Sequence, residues 1–161
     1  MQIAIFGASR ASSRERGWAF RVGALLAEAG CVVVCGGLGG VMEEVCRGAK
    51  ENGGLTVGIL PGPYRQDANR WVDVVIPTGM GEARNVLVAR SGRAAIAIGG
   101  RLGTLSETAH ALRAGTPVVA LHSWRLEERR LEGVRYIEAQ TPEEAVRRAL
   151  EAAMKGEEAE A

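Results

Sequence analysis

Ile96-Ala97-Ile98-Gly99-Gly100-Arg101-Leu102-Gly103-Thr104-Leu105-Ser106-Glu107 is the stretch that decides the fold. An apolar strand runs into a glycine turn, and the turn opens a helix with an acid near its start. Three glycines in five residues, Gly99, Gly100 and Gly103, let backbone N–H groups approach a ligand closely. The helix N-terminus adds the positive end of its dipole, which suits a bound phosphate. An earlier stretch, Val32-Val33-Val34-Cys35-Gly36-Gly37-Leu38-Gly39-Gly40-Val41-Met42, repeats the same grammar. Two such turns describe a cup for a phosphorylated, nucleotide-like ligand.

Outward from these turns, strands and helices alternate. Gln2–Phe6 reads as a buried first strand. A helix over about Arg14–Ala29 follows, with Ser12 and Glu15 at capping-box spacing and Gly30 as its stop. Cys31–Cys35 is a continuous apolar run, as expected of a strand covered on both faces. The next helix places Val41, Val45 and Ala49 on one stripe; Glu43, Arg47 and Glu51 lie four apart on another, with Glu43 pairing to Arg47. Strands are expected at Thr56–Leu60, Val72–Ile76, Ala94–Ile98 and Pro117–Leu121, and helices over Glu82–Ser91 and from Thr104 to Gly115. Trp124–Gly133 is charged and yields no clear element, and Arg135–Glu138 has the character of an edge strand. Thr141, Pro142 and Glu144 supply cap, first-turn proline and capping acid for a last helix. Residues 155–161 read as a disordered polar tail beyond a single domain over 1–154.

This alternation predicts an α/β fold: a doubly wound, Rossmann-like, mostly parallel sheet with helices on both faces. Ligands in such sheets bind beyond the carboxyl ends of the strands, where strand order reverses. Gly7, Gly36–Gly40, Thr78–Gly79 and Gly99–Thr104 all follow expected strands and should share that rim. An ordinary dinucleotide-dependent dehydrogenase is disfavoured. The first strand leads to Gly7-Ala8-Ser9-Arg10 with no second glycine, and Cys35-Gly36-Gly37 stands where the ribose-binding acid belongs.

Composition removes other classes. A net charge of +1 gives no electrostatic case for nucleic acid or an anionic membrane. No basic and apolar leader precedes Gln2–Phe6, and no apolar run approaches the roughly 20 residues of a membrane helix. Cys31, Cys35 and Cys46 are odd in number and lack metal-ligand spacing, so buried reduced thiols, a cytoplasmic location and no metal are expected. Lys50 and Lys155 are the only lysines. Neither sits in a P-loop, and neither is placed to form the Schiff base of a pyridoxal-phosphate enzyme. No organic cofactor is expected.

At Cys35–Met42 the chain resembles the Gly-Gly-Gly-x-x-Gly-x-Met segment of the Lonely guy (LOG) proteins. That superfamily was long labelled lysine decarboxylase and includes nucleoside-monophosphate phosphoribohydrolases. Its second signature, an Arg-Lys pair followed by Pro-Gly-Gly-x-Gly-Thr-x-x-Glu, is matched in register by Arg84, Gly100, Gly103, Thr104 and Glu107. Asn85 stands for the lysine, Gly99 for the proline and Arg101 for the second glycine, while Glu43 replaces a glycine after Met42. The run Thr78–Asn85 is closer to the branch containing molybdenum-cofactor carrier proteins, which bind rather than hydrolyse.

The resemblance implies that Arg84 and Glu107 face the reacting bond of a nucleoside 5′-monophosphate, whose N-glycosidic cleavage a carboxylate would assist. Gly36, Gly37, Gly39, Gly40, Met42, Thr78, Gly79, Asn85, Gly99, Gly100, Arg101, Gly103, Thr104 and Ser9 are the expected ligand-binding set, with Arg10 able to complete the cup. The alternative is a carrier or sensor of a phosphorylated pterin or nucleotide, without chemistry. Glu107 also reads as the acid of a capping box begun by Thr104. On helical phase, Leu105, Ala109 and Leu112 form the core stripe, Glu107 lies opposite, and Ala111 and Ala114 are left for close packing in a homo-oligomer. His110, one turn on, is read as a surface histidine.

Overall fold

The computed structural model describes residues 1–127, 131 and 133–160, the last five as backbone only. Seven strands form one sheet: β1 (Gln2–Gly7), β2 (Val32–Cys35), β3 (Leu55–Leu60), β4 (Val74–Pro77), β5 (Ala94–Ile98), β6 (Val118–Leu121) and β7 (Tyr136–Ala139). Five helices connect and cover them: α1 (Ser13–Glu28), α2 (Val41–Glu51), α3 (Asn85–Arg90), α4 (Leu102–Arg113) and α5 (Pro142–Glu160). Strand order is β4-β3-β2-β1-β5-β6-β7, and every pairing is parallel. The chain winds outward from β1 to β4, then crosses to the other side of β1 for β5. The switch point therefore lies between β1 and β5, where Ile5 pairs with Ile96 and Gly7 with Ile98.

The period of two along the strands sorts the core into two layers. Ile3, Ile5, Val33, Cys35, Ile96 and Ile98 pack with the buried faces of α1, α2 and α5. Ala4, Phe6, Val34, Ala95 and Ala97 pack with Val88 and Ala89 of α3 and with Ala111 and Leu112 of α4. Both faces of β1 and β5 are thus buried, which is why they read as unbroken apolar runs. The three cysteines are free and buried, all in the first layer.

Local signals act as written. The Ser12 hydroxyl accepts from Glu15 N at 3.2 Å, and the Glu15 carboxylate accepts from Ser12 N at 2.7 Å. Ser12→Ala removes one of these bonds and will lower stability by about 1 kcal/mol in a denaturant titration; an unchanged midpoint would mean that solvent caps α1 equally well. Thr141 caps α5 through Glu144 N at 3.1 Å. α1 and α2 meet at backbone distance: a Cβ on Gly23 would lie 2.1 Å from Val45 O, and one on Gly48 2.0 Å from Phe20 O.

Four expectations change. Arg47 pairs with Glu44 (2.7 Å) and Glu51 (3.5 Å), not with Glu43, because the three-residue spacing brings the Glu44 carboxylate onto the guanidinium. The helix expected over Glu82–Ser91 begins as a one-turn 3₁₀ segment, Gly81–Arg84, and becomes α-helical only at Asn85. α5 continues to Glu160, into the segment read as a tail. The fourth concerns α4, whose buried residues are Thr104, Glu107, Thr108, Ala111 and Leu112, while Leu105 is half-buried and Ala109 exposed. Its phase is turned because its first two turns cover the polar floor of a cleft rather than hydrocarbon. Ala111 is consequently core, and Leu102 is 74% exposed. Part of the expected Trp124–Gly133 stretch lies outside the described residues; 124–127 is irregular.

Candidate functional site

A cleft of about 360 Å³ opens at the carboxyl rim of the sheet, beside the switch point. Of the residues expected there, Ser9, Met42, Arg84, Asn85, Arg101, Gly103, Thr104 and Glu107 line it, as does Arg10. Gly36, Gly37, Gly39, Gly40, Thr78, Gly79, Gly99 and Gly100 do not.

The glycines of the first turn give way to protein atoms. A Cβ on Gly36 would sit 2.7 Å from Nη2 and 2.9 Å from Nη1 of Arg84, so the missing side chain is the space the guanidinium occupies. Gly37 donates its N–H to Cys35 Sγ at 3.4 Å, and its carbonyl accepts from the Asn69 backbone at 2.9 Å. Gly40 lies against the Ala8 and Ser9 carbonyls, with Gly39 facing Ser9 O from farther off. Thr78 donates to Leu60 O at 2.6 Å, and Gly79 N to Gly62 O at 3.1 Å, so both brace the turn after β4.

The second turn is held from three sides. Gly99 and Gly100 have φ of +51° and +101°, a region side chains avoid, and the Glu15 and Thr104 side chains occupy the space beside them. Gly99 N donates to Leu121 O at 3.0 Å, and Ser123 Oγ donates to Gly99 O at 2.6 Å. Trp124 Nε1 donates to Arg101 O at 3.2 Å. α4 begins at Leu102 with Arg101 as a cap that offers no side-chain bond. Thr104 is therefore inside the helix, and the capping-box reading of Thr104 and Glu107 does not hold. Glu107 is free to serve the cleft.

Arg84 and Glu107 are each only 6% exposed. Arg84 Nη1 donates to Asn85 Oδ1 at 2.8 Å and, more loosely, to Glu107 Oε1 at 3.4 Å. Its Nε is buried without a hydrogen-bond partner among the described residues. Burial pushes the Glu107 carboxyl up to about 7 against the opposing pull of the Arg84 charge. Burial also lowers Arg84 from its ordinary value, with Glu107 opposing; a guanidinium nonetheless keeps its charge. A fixed cation with spare donors thus sits beside a carboxyl poised to titrate near neutrality. Behind them, Cys35 and Cys46 lie 3.5 Å apart, and the bond to Cys35, with burial, holds the Cys46 thiol far above its ordinary range. Leu38, Pro61, Gly81 and Glu82 also line the cleft. Pro61 directly follows a strand on the rim and Leu38 lies within the first glycine turn, so both were findable; Gly81 and Glu82 carry no such local mark. His110 is outside the cleft.

Residues 1–146 match the model of the SLOG cluster4 family. The chain belongs to the SLOG cluster4 family. An uncharacterised protein of Archaeoglobus fulgidus is 44% identical over 156 residues, spanning 96% of this chain and 98% of that one. Among solved structures, this SLOG cluster4 protein is similar to the molybdenum cofactor binding protein of the phototrophic bacterium Rippkaea orientalis. The two are 34% identical with a TM-score of 0.86, over 93% of this chain and 95% of that one. A Moco carrier protein of Chlamydomonas reinhardtii is 32% identical with a TM-score of 0.83, over 96% of each chain. The LOG-like resemblance and the single α/β domain of Rossmann-like form both stand on these matches.

Proposed function

We propose that this protein is a carrier that binds a phosphorylated pterin- or nucleotide-like molecule, of the molybdenum-cofactor type, without cleaving it. The observation that carries this reading is the state of the Arg84–Glu107 pair. Arg84 lines the cleft, is buried and keeps its charge, and among the described residues its buried Nε has no hydrogen-bond partner. That is what an anion-binding site needs before its ligand arrives. Glu107 is held beside it with its acidity suppressed by burial. Asn85, where LOG hydrolases are expected to carry lysine, is spent on Arg84. The named structural relatives are described as binding or carrying molybdenum cofactor.

A reducing, cytoplasmic setting suits the three free buried cysteines. A homo-oligomer belongs to the same reading, with exposed Leu87 on α3 and Leu102 on α4 available to a second copy. The second reading, phosphoribohydrolase, is favoured by the meeting of Arg84 and Glu107 in one cleft. Incubation with nucleoside monophosphates separates the two. Calorimetry will show saturable binding, chromatography will show no free base, and Arg84→Ala will weaken binding at least about tenfold. Release of base that depends on Glu107 would replace the carrier by the hydrolase.

A further inference from the structure

A second cavity, of about 400 Å³, lies on the other side of the loop after β1. It shares Ala8, Arg10 and Arg101 with the cleft already described, so the two hollows are lobes of one crevice with the arginine pair at its waist. We propose that the crevice takes a pyrophosphate-bridged dinucleotide, with one nucleoside-like half in each lobe and the bridge between Arg10 and Arg101. This rests on the reading of the cleft as a phosphorylated-ligand site and extends it to the class of ligand.

Three observations converge on it. The first is shape. Each lobe is the size of a small-molecule pocket, so a ligand confined to the cleft of Arg84 and Glu107 would leave the second lobe unused. The second is charge. Arg10 and Arg101 are exposed, and neither has an ion-pair partner among the described residues. These two exposed guanidinium groups, the Arg101 charge being felt also by Glu15, match the two negative charges of a pyrophosphate diester. They stand where α4 starts without a side-chain cap, whereas the first turn of α1 beside it is closed by Ser12 and Glu15. The bridge is thus directed toward α4.

The third is the chemistry of the far lobe. Glu15 lines it. Its Oε2 accepts from Ser12 N and Ser12 Oγ at 2.7 and 2.8 Å, and the carboxylate also takes the Gly100 N–H, with its acidity enhanced by these bonds against the cost of burial. A carboxylate has about four acceptor positions, so one remains for a ligand donor. Ribose hydroxyls or the amino and ring N–H edge of a guanine-like base supply such donors. The crevice sits at the junction of β1 and β5, where doubly wound sheets bind ligands of this length. This chain reaches that capacity without a glycine fingerprint after β1, by placing Arg10 there instead.

GMP, GDP and diguanosine 5′,5′-diphosphate form the test, titrated calorimetrically into the full chain and into Ala11→Leu, altered at a residue that lines the far lobe and not the cleft. GDP adds charge over GMP without a second nucleoside. The bridged compound will bind at least about tenfold more tightly than GDP, and Ala11→Leu will erase that margin while keeping the GMP affinity. Equal affinities for GDP and the bridged compound overturn the two-lobed site and leave the carrier reading intact. A margin that survives in Ala11→Leu also overturns it, by putting the second nucleoside elsewhere. Should the variant fail to fold, the wild-type comparison decides alone. Failure of all three compounds to bind removes nucleotide-type ligands from both readings.

Discussion

Glu107→Gln will leave stability nearly unchanged at pH 4 and raise it relative to the parent by up to about 3 kcal/mol at pH 8. Burial lifts the Glu107 carboxyl from 4.5 in the unfolded chain to about 7 in the folded one. Between those values the native protein holds a proton that the unfolded chain has released. This contribution is therefore fully present below pH 4.5, falls as pH rises, and is gone once the folded carboxyl ionises near 7. Glutamine copies the protonated acid, still meets Arg84, and has no proton to lose. Denaturant titrations of parent and variant from pH 4 to 8 measure the difference directly. Parallel curves would show that Arg84 cancels the burial penalty in full. The native protein would then hold an ordinary ion pair rather than a suppressed acid.

Gly48→Ala will cost at least about 3 kcal/mol, although alanine is the better helix former by about 1 kcal/mol. The new methyl would lie 2.0 Å from Phe20 O, and its neighbours are backbone atoms of α1 that cannot rotate away. The helices must separate, and α2 carries Met42 of the cleft, so ligand affinity will fall with stability. Gly23→Ala meets Val45 O at 2.1 Å across the same seam. Once one methyl has parted the helices the second has room, so the double variant will cost less than the sum. Thermal and denaturant unfolding report all three. A Gly48→Ala protein as stable as its parent would mean that the seam has slack.

How much of this was legible depended on how local each signal was. β1 and β5 announced themselves as apolar runs because both their faces are covered. The caps of α1 and α5 follow from groups three residues apart and formed as read. α4 did not, because its phase was weighed on apolar residues alone. Thr104, Glu107 and Thr108 face inward toward a polar cleft, and no local rule distinguishes a buried threonine from an exposed one. The pairing of Arg84 with Glu107 was legible only as matched register. That Gly36 serves the guanidinium, and that Gly40 packs on Ala8 and Ser9, depends on contacts between segments distant in sequence. The far lobe was unreadable for the same reason, since Glu15 and Gly100 meet only after the sheet is assembled.

The order of the strands bears on the birth of the molecule. The first strand of the sheet in sequence is also the middle one, and the partner for its second edge, which sets Ile3 beside Ala94, is translated about 90 residues later. Until then β4, β3, β2 and β1 can assemble only half a sheet, ending in the bare, wholly apolar margin Ile3–Phe6. Parallel pairing across so long an interval is slow. The nascent protein is therefore most vulnerable to self-association just before the second glycine turn is translated, and the segment that completes the binding crevice is the one that relieves the hazard.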